Sequence, residues 1–408
     1  MEQEGIHVSG FGILADDLTG AMDTGSQFAQ AGFQTCVHLS PQPTDDEVAV
    51  LDTESRGDPP DVAYEKVFRA AQALGGRRVY KKVDSTLRGN VGQELDAAMD
   101  ALGFQRALIC PAFPAAGRTV VQGILRVQGT PLRRTDFAGD PLCPSTDHIP
   151  SLLEQQSRRA VGHVPLEAVR GGVAGLAAAI LARTEPLVVL DAEEDADLLA
   201  IAQAARSLGE GCLTCGSAGL AWALPGGFLL VPLGSPVRRP RQGGLPVLVV
   251  AGSRRTATLR QIEALLSASE GGLVEVDPAS PQEAVAQAIE MAVRRLDEGQ
   301  NVVVTTAFRP YFPESGQAVA ERLGDVAAQV ARARCLSGLV LTGGDIAFAA
   351  CRALGVVALE IEGEVAPGLP TGVIVGGAKS GTRLVTKAGG FGREDALRKA
   401  IAYLRGEE

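Results

Sequence analysis

Residues 79–90, which read VYKKVDSTLRGN, contain the densest group of side chains in the chain that can take part in chemistry. The β-prone start gives way to Asp-Ser-Thr at residues 84–86, residue types that cap helices and hydrogen-bond in turns. We therefore predict a strand that ends where a helix begins, a place where free backbone N–H groups attract anions. Lys81, Lys82 and Arg88 add positive charge at the same junction. The pattern favours a site for a small anion over a capped surface helix with solvated lysines.

Two earlier segments end in a similar way. A strand-like run that ends at Ala15 is followed by Asp16 and Asp17, and the strand predicted over residues 48–51 is followed by polar residues up to Arg56. Strands alternate with helices in this part of the chain, which predicts a parallel sheet whose strand ends lie along one edge. The three clusters are therefore expected to converge.

The C-terminal half contains three glycine turns, each directly after a predicted strand. They are Gly252-Ser253, Gly343-Gly344 and the glycine-rich run 389–392. The absence of a Cβ lets a backbone approach a phosphate closely, and a helix N-terminus favours its charge. A single turn of this kind is more often an ordinary connection between a strand and a helix. Three in one domain favour a phosphate-rich ligand.

The length of the chain and its alternation of strands and helices predict the fold class. At 408 residues the chain exceeds the size at which one core stops growing, so two domains are expected. We predict an α/β protein in which each domain is a largely parallel sheet flanked by helices, with the active site in the cleft between the domains. The predicted bounds are residues 1–231, a linker at 232–246 that is rich in Pro, Gly and Arg, and residues 247–408.

The overall charge limits the classes of partner. A formal net charge of −10 argues against nucleic acid or an anionic membrane, which both require a basic surface. The start has no signal-peptide pattern, no apolar run is long enough to span a bilayer, and the seven cysteines fit reduced thiols. We therefore expect a cytoplasmic protein with a small-molecule ligand; a homodimer is compatible with the sequence.

These motifs, in this order and over nearly the whole chain, resemble the four-carbon acid sugar kinase family. The motifs are DDLTGA (16–21), DTESR (52–56), KKVDSTLRGN (81–90) and CPAFP (110–114), followed by AGS (251–253), TGGD (342–345), GEVAPG (363–368) and KAGGFG (387–392). The resemblance implies a sugar-acid-binding domain followed by a nucleotide-binding domain. It also implies phosphoryl transfer from ATP to a C4 acid such as threonate, erythronate or an oxo-tetronate, at the terminal hydroxyl.

The resemblance further implies two sets of contacts. Contacts to the sugar acid would come from Asp16, Asp17, Arg56, Lys82, Asp84, Ser85 and Arg88, and contacts to ATP from Ser253, Gly343, Gly344, Asp345, Ile346 and Gly389. Ile346 departs from the family pattern, in which Thr is more frequent. The departure weakens the site if the Thr hydroxyl binds phosphate or a metal-bound water, and is harmless if the backbone N–H does so.

The implied mechanism assigns catalytic roles to Asp17, Lys82 and Asp84. Lys82 would neutralise the transferring phosphoryl group and Asp17 would accept the proton of the attacking hydroxyl, while Arg56 and Arg88 would anchor the substrate carboxylate. The roles of the aspartates in this cluster are interchangeable at this stage.

Mg²⁺ is expected to bridge the phosphates of ATP, with Asp345 as a candidate in its outer coordination sphere and the direct protein ligands not identified. Two alternative functions remain open: a non-catalytic regulator that binds a sugar acid, and an aldolase or dehydrogenase that acts on similar acids. A regulator would tolerate loss of the last glycine cluster, which this chain retains.

Overall fold

The computed structural model describes residues 10–233, 243–277, 280–306, 308 and 316–407. These residues form two compact units. One comprises the described residues up to Thr35 and from Ser40 to residue 233, and the other comprises Cys36–Leu39 and the described residues from 243 onward. Most of the expected linker (234–242 of 232–246) and the first residues of the expected first strand (6–9) lie outside the described residues.

Between residues 10 and 233 the chain forms eleven strands and eight α-helices, of which strand β2 lies almost entirely in the second unit. In chain order these are β1 (Phe11–Ala15), α1 (Leu18–Gln30), β2 (Thr35–His38), β3 (Val48–Asp52), α2 (Pro60–Ala73), β4 (Arg78–Lys82), α3 (Val91–Leu102), β5 (Arg106–Cys110), β6 (Arg118–Val121), β7 (Ile124–Val127), β8 (Thr130–Pro131), α4 (Ile149–Gln156), β9 (Val161–Val164), α5 (Leu166–Val169), α6 (Val173–Leu181), β10 (Leu187–Leu190), α7 (Asp195–Ser207), β11 (Cys212–Gly216) and α8 (Ala218–Gly227).

The sheet of the first unit is parallel throughout, with the strand order β3-β1-β4-β11-β5-β10-β9. Its central strands are buried along their length, which agrees with their continuous apolar sequences. Ala15 on β1 lies beside Asp52 on β3, and Leu14 lies beside Lys81 on β4. The three polar clusters therefore follow neighbouring strand ends at one edge, as the alternation of strands and helices predicts.

The second unit continues from residue 243. Its elements are β12 (Val247–Ala251), α9 (Thr256–Ser267), β13 (Gly272–Glu275), α10 (Gln282–Asp297), β14 (Val302–Thr305), α11 (Gly316–Ala333), β15 (Gly338–Thr342), α12 (Gly344–Leu354), β16 (Ala358–Glu364), β17 (Pro370–Val375), β18 (Arg383–Lys387) and α13 (Ala396–Arg405).

The sheet of the second unit has the order β13-β14-β12-β15-β18-β17-β16-β2. The first five strands are parallel, and β17, β16 and β2 extend the sheet in antiparallel fashion. One core cluster joins the apolar faces of β12 and α13, with Val247, Val249, Leu397 and Leu404 among its buried members. The α/β class and the largely parallel sheets are as predicted from the sequence.

Two parts of the fold were not predicted. Residues 118–131 form a separate antiparallel sheet, β6-β7-β8, whereas the sequence predicts loops over residues 117–119 and 127–147. Strand β16 covers a region for which only a loop starting at Gly363 was expected. Among the described residues, no helix combines the length and apolar character that crossing a membrane requires.

Candidate functional sites

One arginine holds two neighbouring carboxylates at the ends of β1 and β3. The Arg56 guanidinium donates from Nε and Nη2 to Asp16, with N···O distances of 2.7 and 2.9 Å. It donates from Nη1 and Nη2 to Asp17, both at 2.7 Å. All three side chains are largely buried, with 12% of Arg56 exposed. Two of the three predicted clusters therefore meet directly.

Asp17 has a second role as the N-cap of α1. Its carboxylate accepts a hydrogen bond from the Thr19 hydroxyl at 2.7 Å and from the Gly20 N–H at 2.9 Å, which satisfies a free donor of the first turn. Together with the bonds from Arg56, each oxygen of Asp17 accepts two hydrogen bonds. Each oxygen of the adjacent Asp16 accepts one, from Arg56.

The charges around Asp16 decide its protonation. Burial raises the pKa of this carboxyl, but the positive charges of Arg56 and Lys82 outweigh burial and hold the pKa below its ordinary value. Asp16 is therefore ionised at neutral pH.

The two lysines at the end of β4 point to opposite faces of the sheet. Lys81 is fully buried and pairs with Glu94 on α3 at 2.7 Å, so it is an internal ion pair and not a donor to a ligand. Lys82 is 4% exposed, and its ammonium lies beside the first turn of α1, where a Cβ on Gly20 would be 2.6 Å from Nζ and 2.5 Å from the Asp17 carboxylate. The Lys82 side chain makes no hydrogen bond and no close ion pair with a residue that the structure describes, although its charge acts on Asp16.

The third cluster forms a turn held by Asp84. Arg88 donates to Asp84 from Nε at 2.7 Å and from Nη2 at 3.1 Å, and the Thr86 hydroxyl donates to the same carboxylate. Burial opposes ionisation, but the charges of Arg88 and Arg56 hold the pKa of Asp84 well below its ordinary value. Arg88 is 26% exposed, compared with 12% for Arg56, so its guanidinium is the more accessible of the two. Its Nη1 makes one long contact, of 3.4 Å, with Asp140.

A further arginine near this turn was not among the predicted site residues. Arg118 on β6 is buried, with its guanidinium carbon 5.7 Å from the centre of the Phe137 ring. Burial lowers the pKa of Arg118, the negative charge of Asp84 raises it, and the positive charge of Arg88 lowers it. Its position shortly after the Pro-rich motif at 110–114 was the available signal. The predicted Ser85 is also buried in this region.

Asp52 is another residue near the site that was not among the site residues predicted from the sequence. It ends β3, is 1% exposed, and accepts a hydrogen bond from the Glu54 N–H at 3.1 Å through one oxygen. The other oxygen is buried and has no hydrogen-bond partner within the described chain. Burial raises the pKa of Asp52 well above its ordinary value, and the charges of Asp17 and Asp16 add to that shift. Its place at the end of a strand, next to the Asp16 cluster, was the sequence signal.

The three glycine turns of the second unit follow neighbouring strand ends. Ala251 on β12 lies beside Thr342 on β15, and Thr342 lies beside Lys387 on β18. The segments that follow these residues therefore begin side by side, at one edge of the second sheet. This edge is where α/β proteins bind ligands.

Two of the residues expected to contact ATP touch each other. A Cβ added to Gly389 would lie 2.2 Å from Oγ and 3.0 Å from Cβ of Ser253, so only glycine fits there without displacing Ser253. The close approach places the backbone of one turn against the side chain of another.

The turn at the start of α12 exposes backbone donors. Gly343 has φ +102 and is the N-cap residue, and the first intrahelical bond runs from the N–H of Ala347 to its carbonyl. The N–H groups of Gly344, Asp345 and Ile346 therefore have no partner within the helix. The Ile346 side chain is 5% exposed and packs on Gly252, which leaves its backbone N–H as the group available to a ligand. Asp345 lies exposed in this first turn.

Two sequence families match the chain, one in each half. The family described as a sugar-binding N-terminal domain matches residues 11–224, and the family described as a nucleotide-binding C-terminal domain matches residues 248–397.

Several relatives are similar over almost their whole length. The D-threonate kinase of Salmonella typhimurium is 38% identical, over 96% of this chain and 97% of the relative. The D-erythronate kinase of Heliobacterium modesticaldum is 33% identical, with 96% of each chain covered. The 3-oxo-tetronate kinase of Pseudomonas savastanoi pv. phaseolicola is 31% identical, with 97% of each covered.

The fold also matches a crystal structure from Salmonella typhimurium LT2, with a TM-score of 0.78 and 25% identity over 96% of this chain and 99% of the other. That structure is described as a tRNA synthase, which differs from the kinase names, and the likeness shows the fold alone. The matching families and the curated relatives agree with each other and with the motifs of the sequence. The chain belongs to the four-carbon acid sugar kinase family and is a carbohydrate-acid kinase.

Proposed function

We propose that the protein transfers the terminal phosphoryl group of ATP to the terminal hydroxyl of a four-carbon sugar acid, with D-threonate, D-erythronate and 3-oxo-tetronate as the candidate substrates. The observation that carries the proposal is the Lys82 ammonium, which is buried beside a helix N-terminus and donates no hydrogen bond to any described residue, although its charge acts on Asp16. A buried ammonium whose donors are not satisfied is costly for folding, and an anionic ligand would satisfy them.

The first unit binds the acid. Arg88 is the better placed of the two arginines to bind the substrate carboxylate, because it is more exposed than Arg56 and only loosely bound to Asp140. Arg56 uses four hydrogen bonds to hold Asp16 and Asp17, so its main contribution is to position these carboxylates.

The proton acceptor for the attacking hydroxyl is one of the two carboxylates held by Arg56. Asp17 is the first candidate, and it would have to exchange one of its present hydrogen bonds for the substrate hydroxyl. Asp16 is the second, since its oxygens each accept only one hydrogen bond. Lys82 would neutralise the charge on the phosphoryl group during transfer.

The second unit binds ATP. The backbone N–H groups of the α12 turn and the glycine run that starts at Gly389 would bind the phosphates, and the Ser253 side chain would contribute a hydroxyl. Mg²⁺ would neutralise charge on the phosphates, and the exposed carboxylate of Asp345 fits a position next to the ion or its water ligands.

The experiment that tests this function measures ADP formation with ATP and Mg²⁺ for each of the three C4 acids. Erythritol, a neutral C4 polyol, is the matched control, since it offers terminal hydroxyls but no carboxylate. We expect turnover of at least one acid and little with erythritol. Binding of an acid without ADP formation would support a non-catalytic regulator, and equal turnover of erythritol would disprove the acid requirement.

A further inference from the structure

Lys387 is a buried cation that none of the functional roles above uses. It ends β18, is fully buried, and has no carboxylate within hydrogen-bond distance among the described residues. Burial lowers the pKa of this ammonium to about 7. A lysine placed in this way destabilises the fold unless its donors are satisfied.

All the acceptors of Lys387 belong to, or support, one loop. Nζ donates to the carbonyls of Ala388 at 3.1 Å, Phe391 at 3.2 Å and Gly389 at 3.5 Å, and to the Thr258 hydroxyl at 3.1 Å. The Thr258 hydroxyl in turn donates to the Gly389 carbonyl at 2.9 Å. Lys387 thus reaches across the loop that begins directly after its own strand.

Gln261 completes the same arrangement one turn further along α9. Its Nε2 lies 3.0 Å from the carbonyls of Phe391 and Gly392 and 2.9 Å from that of Arg393, and the residue is fully buried. Five carbonyl oxygens of residues 388–393 therefore face Lys387, Thr258 and Gln261, and these oxygens would repel one another without the positive charge.

The backbone N–H groups of the loop, unlike its carbonyls, are mostly without hydrogen-bond partners in the described chain. The N–H groups of Gly389, Gly390 and Gly392 donate to no acceptor within the described residues, whereas the N–H of Phe391 bonds to the carbonyl of Ala388. A loop whose carbonyls are bound and whose N–H groups are free has donors that an anion can use.

We propose that the Lys387 ammonium is a built-in cation that holds residues 388–393 in the phosphate-binding conformation, at a place where a bound monovalent ion could otherwise satisfy the same carbonyls. Lys387 is a positioning residue, because it acts through the loop. The inference rests on the proposed binding of ATP at this loop.

The test uses Lys387→Ala, which removes the ammonium and leaves room for a small cation, and Lys387→Met, which fills most of that room. Lys379→Met is the matched control, since Lys379 also donates to a backbone carbonyl, that of Arg334, but at the surface. The dissociation constant for ATP is measured by calorimetry, and circular dichroism monitors folding.

We expect the dissociation constant for ATP to rise about 10- to 100-fold in both Lys387 variants, as for the loss of charge-assisted hydrogen bonds, and to stay unchanged in Lys379→Met. Ammonium or potassium chloride should restore ATP binding to Lys387→Ala, at least in part. Lys387→Met should not respond, and tetramethylammonium chloride at the same ionic strength should restore neither variant. A purely structural lysine would give no such ion-specific rescue.

Several outcomes would overturn the inference. These are wild-type ATP affinity in Lys387→Ala, equal rescue by tetramethylammonium, and a requirement of the wild-type protein for potassium or ammonium. The last measurement needs no variant, so the inference stays testable if both Lys387 variants misfold. A wild-type protein that does not bind ATP would contradict the proposed function as well, whereas the other outcomes contradict only the role of Lys387.

Discussion

At the scale of single residues, the candidate acid site combines charges that are hydrogen-bonded with one that is not. The carboxylates of Asp16 and Asp17 share a guanidinium, whereas the Lys82 ammonium donates no hydrogen bond within the described chain and acts on Asp16 only through its charge. Functional sites often contain groups that contribute little to stability in the absence of the ligand. This contrast leads to a prediction in which activity changes much more than stability.

Replacing Lys82 with Met should change the stability of the protein little, because the loss of the attraction between the ammonium and Asp16 is offset by relief from the burial of a charge without hydrogen bonds. The same change should lower kcat about 10²-fold or more, the range for losing a group that neutralises charge in the transition state. Thermal unfolding and ADP release measure the two effects. Lys81→Met is the comparison: it breaks the buried pair with Glu94 and should lower the unfolding temperature. Wild-type kcat in Lys82→Met would remove this residue from the mechanism.

The proton acceptor can be identified by comparing two conservative changes. Asp17→Asn should lower kcat by about 10²-fold or more with substrate binding largely retained, as expected for the loss of a general base. Asp16→Asn should have the smaller effect on kcat. If the order is reversed, the base is Asp16; if both variants bind the acid weakly, the two carboxylates bind the substrate instead.

Asp52 gives a prediction about pH. Because its folded pKa is raised above the ordinary value of 3.8, the folded state holds its proton to higher pH than the unfolded chain does. The stability of the folded state therefore falls as pH rises from about 4 towards the folded pKa, and the penalty is complete above it. Asp52→Asn should remove this penalty.

We expect the unfolding temperature of Asp52→Asn to exceed that of the wild type at pH 8 and to approach it at pH 4. Asp325→Asn, which changes an exposed carboxylate on α11, is the control for loss of charge alone. A difference between Asp52→Asn and the wild type that does not depend on pH would contradict the raised pKa. A loss of kcat in the more stable variant would place Asp52 in the acid site.

At the scale of helices and strands, the sequence predicted elements whose burial is uniform. The strands β10 and β12 have continuous apolar sequences and were predicted with their observed bounds, as was α3. Strand β16 was missed because alternate positions are polar and half-buried, and its register shifts between Ile361 and Gly363. In the short strands β6 and β7, buried and half-buried positions also alternate, and an alternation over four residues is a weak signal.

The sequence also does not show which charged side chains pair within the candidate sites. Strand alternation places Lys81 and Lys82 on opposite faces, but only the packing of α3 shows which lysine has an internal partner. The bonds of Arg56 to Asp16 join residues 40 positions apart, and the sequence predicted that the clusters meet but not which charges pair. The role of Lys387 depends on a loop conformation, which spacing alone does not specify.

The contact between two turns of the second unit gives a prediction at this scale. Gly389→Ala should raise the KM for ATP about tenfold or more, because the new Cβ would lie 2.2 Å from the Ser253 Oγ and must displace that side chain. The KM for the acid should not change. Gly316→Ala, where no atom lies within 4 Å of the added Cβ, controls for the loss of a glycine in this unit. An unchanged KM for ATP in Gly389→Ala would remove this contact from the nucleotide site.

At the scale of the whole molecule, each unit contains a set of parallel strands and its own group of polar or glycine-rich turns at the ends of those strands. The two matching families divide the chain at a similar place, with a sugar-binding description for the first part and a nucleotide-binding description for the second. The proposed division of labour implies that each ligand can bind without the other, and that damage to one site leaves binding at the other intact.

Thermal stabilisation by each ligand alone tests this division. A ligand that binds only the folded state at 100 times its dissociation constant stabilises by about 2.7 kcal/mol, which corresponds to a rise of about 5 to 11 °C for a domain of about 150 to 250 residues. We expect a C4 acid and ATP with Mg²⁺ each to produce a shift of this size in the wild type. Arg88→Ala should reduce the shift with the acid and keep the shift with ATP, and Gly389→Ala should do the opposite. Measuring both ligands on both variants by differential scanning calorimetry also shows whether the units unfold in one transition or two. If Arg88→Ala loses only the ATP shift, or Gly389→Ala only the acid shift, the ligands are assigned to the wrong units. Loss of both shifts in both variants would mean that the sites are not separable.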